Sequence, residues 1–153
     1  MNAVVLAAAP GVINISSRSR YEAGKICSNF AQTPFRFTLD ASACALLRLE
    51  RVAPSGLLLP AGSVEGLVQG LKIADAAEQI RVFALSGAEA KSAGRSAPQS
   101  VGERMVYVRG VPFGYKSPEH RALIEWAIRQ KFGQNETARQ ALLWTGEATL
   151  THN

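Results

Sequence analysis

Sulfur and imidazole are scarce in this sequence. It holds two cysteines, Cys27 and Cys44, and two histidines, His120 and His152. A zinc site takes three or four ligands of these kinds, and no C-x-x-C pair or His cluster supplies them. No metal and no cofactor is expected, and the two thiols read as buried or idle. Aspartate is almost absent too, with only Asp40 and Asp75. That leaves a mechanism built on paired aspartates poorly supplied and gives any carboxylate chemistry to glutamate. Long apolar runs are missing. The longest, Ala3 to Pro10, falls far below the roughly 18 residues of a membrane span. No Lys or Arg precedes Ala3–Ala9, as a cleaved signal peptide would require. The chain is therefore expected to be soluble and cytoplasmic.

What is present is basic. Seventeen Lys and Arg stand against twelve Asp and Glu, a formal charge of +5, and twelve of the seventeen are Arg. Arginine presents a planar, permanently charged fork that suits phosphate. The excess is compatible with a nucleic-acid or pyrophosphate partner, and equally with a solvated basic surface. The 153 residues fit one domain, 1–153. A chain of this length buries roughly 68–70% of its unfolded surface and needs no staple.

The pattern along the chain is that of a helix-rich α+β domain with a few short strands. Val4, Val5, Leu6, Val12, Ile13 and Ile15 are interrupted by Pro10-Gly11 and read as two short strands or one broken one. Residues 17–26 look like a polar loop. Phe35-Arg36-Phe37-Thr38-Leu39 alternates as a half-buried strand does. Ala41–Arg51 fits a short helix or a strand. Helices are expected at Val64–Ala74 after the cap Ser63, at 76–86 after Asp75 and closed by Gly87, and at 88–93 ending at Gly94. A strand is expected at Met105–Arg109. Ser117-Pro118-Glu119 starts a long helix to Phe132, with an apolar stripe of Leu123, Ile124, Ala127 and Ile128. Asn135 caps a last helix, Glu136 to Leu143.

One segment concentrates chemistry. In Ser63–Lys72, helical spacing puts Glu65, Gln69 and Lys72 on one face and Val64, Leu67, Val68 and Leu71 on the other. Gly66 and Gly70 are poor helix formers, and they allow a ligand or another backbone to come close. A carboxylate early in a helix is favoured in its ionised form. Beside a sugar C1 it stabilises an oxocarbenium-like transition state or activates water. A lysine there holds phosphate, pairs with the Glu, or acts as an amine nucleophile. The same spacing also describes an ordinary solvated stripe.

Four segments, in order, resemble the NADAR family, also called YbiA-like. They are Cys27-Ser28-Asn29-Phe30, Ser63–Lys72, Ala90-Lys91-Ser92-Ala93-Gly94-Arg95, and Lys131-Phe132-Gly133-Gln134-Asn135 with Leu142-Leu143-Trp144-Thr145-Gly146. Together they span about residues 20–152. The resemblance implies a YbiA-like fold and an N-glycosidase acting on ribose derivatives, without metal or redox cofactor. Members of that family remove ADP-ribose from guanine bases, as antitoxins to DNA ADP-ribosyltransferases, or cleave phosphoribosyl intermediates of riboflavin synthesis. By position, Glu65 matches the catalytic Glu and Lys72 the active-site Lys. Asn29, with Phe30 beside it, matches a residue at the sugar or base, and Gly94-Arg95 a pair near phosphate. Gln69 lines the same face.

Arg18, Arg20 and Arg95 are candidate pyrophosphate contacts. The loop Arg109–Lys116 lacks the Trp of many members, so Phe113 and Tyr115 are the candidates for its stacking face. Many members carry a C-terminal Asp beyond this point of the sequence, and His152 is the candidate by position. Lys131 and Phe132 read as helix-end packing. The leading expectation is a hydrolase that frees ADP-ribose from guanine in nucleic acid. The alternatives are a hydrolase of a small phosphoribosyl metabolite, a non-catalytic module that binds ADP-ribose or modified nucleic acid, and a structural protein whose polar stripe is plain surface.

Overall fold

Phe35, Phe37 and Leu39 point inward along one strand while Arg36 faces solvent, and the main core forms on this apolar face. The computed structural model describes residues 9–39, 57–96 and 104–153. The expected strand at Val4–Leu6, the ambiguous Ala41–Arg51 segment, Asp40 and Cys44 lie outside them. The described elements are β1 (Val12–Asn14), α1 (Glu22–Cys27), β2 (Phe35–Leu39), β3 (Leu57–Ala61), α2 (Val64–Gly70) and α3 (Ala76–Phe83). They continue with α4 (Gly87–Arg95), β4 (Met105–Val108), β5 (Val111–Gly114), α5 (Pro118–Gln134), α6 (Glu136–Trp144) and β6 (Thr149–Thr151). The fold is helix-rich α+β. Among the described residues no helix is long and apolar enough to cross a membrane.

The strands form three two-stranded ladders: β2–β3 and β4–β5 antiparallel, β1–β6 parallel. Val64 and Leu67 from α2, Leu71 at its C-cap, and Leu123 and Ala127 from α5 pack with the inner faces of both antiparallel pairs. A smaller cluster joins Ala23 and Cys27 of α1 to Ala141 of α6.

Several boundaries differ from the sequence reading, each for a physical reason. Strand β4 stops at Val108 because Arg109 and Gly110 make the turn to β5, both with positive φ (50° and 81°), the geometry of a tight two-residue hairpin loop. Helix α2 stops at Gly70, not Ala74. Beyond it Lys72 and Ile73 make shorter i→i−3 bonds, and the Leu71 carbonyl is taken by the Tyr107 N–H at 2.7 Å. Gly87 opens α4 instead of closing α3, and the helix runs through Gly94 to Arg95. The expected loop at 17–26 contains α1. At six residues such a helix has little stability of its own, and a side chain from α5 holds its C-terminal carbonyls. Asp75, Ser117 and Asn135 cap their helices as expected, accepting from Glu78, His120 and Ala138.

Candidate functional site around Glu65

Ser63 sets the start of α2. Its Oγ accepts from the Gly66 N–H at 2.8 Å and donates to the Leu85 carbonyl at 2.9 Å. From there Glu65, Gln69 and Lys72 share one face. Gln69 Nε2 donates to Glu65 Oε1 at 2.7 Å, and Lys72 Nζ donates to Gln69 Oε1 at 2.8 Å. Acid and amine are thus joined through an amide. Gln69 is buried while Glu65 and Lys72 are half-buried. Oε2 of Glu65 takes no hydrogen bond among the described residues.

The glycines act in packing. A side chain on Gly66 would strike the Leu85 and Phe83 carbonyls, and one on Gly70 the Phe83 ring. One on Gly94 would strike the Gln69 side chain. Gly94 is therefore the reason α4 can close over the amide of the Glu65–Gln69–Lys72 chain. Arg95 beside it is exposed on the last turn of α4.

The Cys27–Phe30 loop reaches this face through its backbone, for the Glu65 N–H donates to the Asn29 carbonyl at 2.9 Å. The side-chain amide of Asn29 makes no hydrogen bond among the described residues. Phe30 is half-buried, with Lys91 Nζ 5.8 Å from its ring centroid. It lines a cavity of about 430 Å³ with Lys25, Gln32, Thr33 and Thr137.

Two residues entered the site without being read as part of it. Lys131 is fully buried and donates to the carbonyls of Ile26, Cys27 and Ser28 at 3.0, 3.1 and 2.9 Å. Burial lowers its pKa to about 8, against the opposing pull of Cys27. The same burial raises the Cys27 thiol, with Lys131 acting the other way. The signal was present in the sequence: Lys131 follows Ala127 by four residues, so it sits on the apolar stripe of α5. His120 is buried at the start of α5, where its Nδ1 accepts from the Lys116 N–H at 2.9 Å. That bond leaves the proton of the neutral ring on Nε2. Burial and then the Lys72 charge lower its pKa. Tyr115 packs on the same ring, centroids 5.2 Å apart.

Other expected residues stand elsewhere. Phe113 is a core side chain, 2% exposed, so it offers no stacking face; Tyr115 is half-buried. Arg18 and Arg20 share no hydrogen bond or ion pair with Glu65 or Lys72. The Arg20 guanidinium instead lies 5.9 Å from the Tyr21 ring centroid. His152 does not join Glu65 either: its Nδ1 is 2.7 Å from the Ile15 carbonyl at the β1–β6 ladder. Among the described residues no cluster of three or more His, Cys, Asp or Glu could hold a metal.

Residues 20–153 match the model of the family described as bacteriophage protein GP30.3. The chain belongs to the GP30.3 family. A relative in Enterobacteria phage T4, the uncharacterized 17.1 kDa protein in the Gp30-rIII intergenic region, is 32% identical over 126 residues. The alignment covers 82% of this chain and 70% of the T4 protein. No solved structure matches the chain. Membership in GP30.3 corrects the resemblance to NADAR. The four short segments that carried it are individually permissive, and the match over 20–153 assigns them to a different family. A catalytic role for Glu65 does not come with the GP30.3 name and has to rest on geometry.

Proposed function

We propose that this GP30.3 chain is an N-glycosidase that hydrolyses a ribose C1–N bond, with Glu65 as its carboxylate. The observation that carries this reading is the Glu65–Gln69–Lys72 chain, linked at 2.7 and 2.8 Å and held by the close approach of α4 at Gly94. Such a carboxylate, oriented by one amide bond, is suited to a cationic sugar carbon. In the reaction the C1–N pair leaves with the base and a water oxygen bonds to C1. Glu65 takes the water proton or balances charge at C1, and the proton ends on the departing base. Lys72 positions the ribose, or its amine adds to the opened C1 aldehyde with loss of water to give an imine that a second water hydrolyses to free the sugar.

The basic charge of the chain favours a polyanionic substrate, with ADP-ribosylated guanine in nucleic acid ahead of small phosphoribosyl compounds. A buried free thiol at Cys27 accords with work in a reducing cytoplasm.

The test is release of ADP-ribose from an oligonucleotide carrying ADP-ribosylated guanine, followed by mass spectrometry. Wild type is expected to release it and Glu65→Gln to lose at least a hundredfold in rate. Release only from small phosphoribosyl compounds moves the substrate and keeps the chemistry. Binding without release from either defeats the hydrolase reading in favour of a binding module.

A further inference from the structure

Away from Glu65, α1 and α6 enclose a second concavity of about 380 Å³, within the range of ligand pockets. Ala23 and Ala141 are buried and small, and with Ile26 they form an apolar floor. Tyr21 and Trp144 stand over it with ring centroids 6.2 Å apart and planes at 42°. The rings meet at an oblique angle and are not parallel-stacked. Trp144 is 36% exposed. Its indole N–H has no partner among the described residues, whereas Trp126 donates to the Thr38 carbonyl at 2.9 Å.

Arg20 is the cationic side chain that lines the cleft. Arg81, Arg129 and Arg139 each pair with a glutamate one turn away. Arg18 and Arg20 pair with no acid among the described residues. The one acid lining the cleft, Glu22, lies 3.9 Å from Lys25. An apolar floor, a partly exposed indole, an N–H donor without a partner among the described residues and the Arg20 guanidinium match one planar base and its phosphate.

We infer that the Tyr21–Trp144 cleft binds an unstacked base of single-stranded nucleic acid, with Arg20 on the adjoining phosphate. The base lies on the Trp144 face and the strand runs past the Ser16–Arg20 turn. Duplex bases are already stacked and do not enter. The inference goes beyond the hydrolase reading and stands without it, because binding is read without turnover.

The experiment titrates the intact protein with a labelled oligothymidylate, following label anisotropy and intrinsic tryptophan fluorescence. Trp144 and Trp126 are the two tryptophans, and Trp126 is tied to β2, so quenching is expected to come from Trp144. Trp144→Leu should abolish it and weaken binding about tenfold. Arg20→Gln, at an exposed position that folding tolerates, should lower the slope of log K against log salt by about 1. Equal affinity for thymidine monophosphate would assign the cleft to a small ligand and overturn the inference. So would equal affinity for a duplex, no binding at all, or two variants indistinguishable from wild type.

Discussion

The two sides of the molecule are held together by different physics. Around α2, apolar burial and close backbone approach dominate: Val64, Leu67 and Leu71 are fully buried, and three glycines remove the side chains that would keep the helices apart. Around α1, the apolar cluster is small and one ammonium group does much of the holding. Lys131 donates to three carbonyls at the end of α1 and its following loop, and of these the Ser28 carbonyl also accepts from the Ala31 N–H. The first arrangement is insensitive to charge. The second concentrates its stability in one titratable atom, which makes the Asn29 loop, and through it the Glu65 N–H, dependent on a residue in α5.

The largest effect that sharpens this contrast is expected at Phe37, fully buried in the main cluster. Phe37→Ala should cost about 3–5 kcal/mol and lower the midpoint of chemical unfolding for every probe together. Lys131→Met should cost about 2–4 kcal/mol, since the Ile26 and Cys27 carbonyls lose the ammonium donor and the Ser28 carbonyl keeps only the Ala31 N–H. Its signature is local: hydrogen exchange at the Glu65 amide should quicken more than exchange in β2. Equal protection at both places would remove the distinction between the two sides.

Gly94→Ala should cost about 1–3 kcal/mol by forcing α4 off Gln69. It should lower any Glu65-dependent rate more than it lowers stability.

The smallest effect is acid sensitivity at His120. Its folded pKa lies below the ordinary value of 6.5, so the unfolded chain binds the extra proton first. The contribution is complete above about pH 6.5 and falls as pH drops through the folded pKa. Urea midpoints taken at neutral and mildly acid pH should show that loss, and His120→Asn should flatten it.

Local signals carried much of the architecture. Ser117-Pro118-Glu119 announced α5, the 35–39 alternation announced β2, and Asp75 and Asn135 announced their helices, because each acts within a few residues of itself. Glu65, Gln69 and Lys72 were legible as one face because spacing alone fixes it, and the structure joins them by hydrogen bonds. What escaped the sequence depends on distant partners. Helix α1 needs Lys131, β6 needs β1, and the burial of His120 needs the turn at Lys116. Gly94 was visible as a residue but not as a contact, since its reason is a glutamine on another helix. The NADAR resemblance fails for a related reason: short polar motifs report local chemistry, whereas the GP30.3 match runs through residues 20–153.

The parallel ladder of β1 with β6 bears on how the chain reaches this state. Val12–Asn14 meets Thr149–Thr151, and His152 reaches Ile15 across 137 positions of sequence. Closing so long a loop is entropically unfavourable until the intervening helices are in place. The ladder is therefore expected to form late in folding, after the transition state. Weakening it, for instance with Ile13→Ala, should speed unfolding while leaving the refolding rate nearly unchanged. With that outcome the two-stranded seam is a kinetic latch, setting how long the native state lasts and hardly affecting how fast it is found.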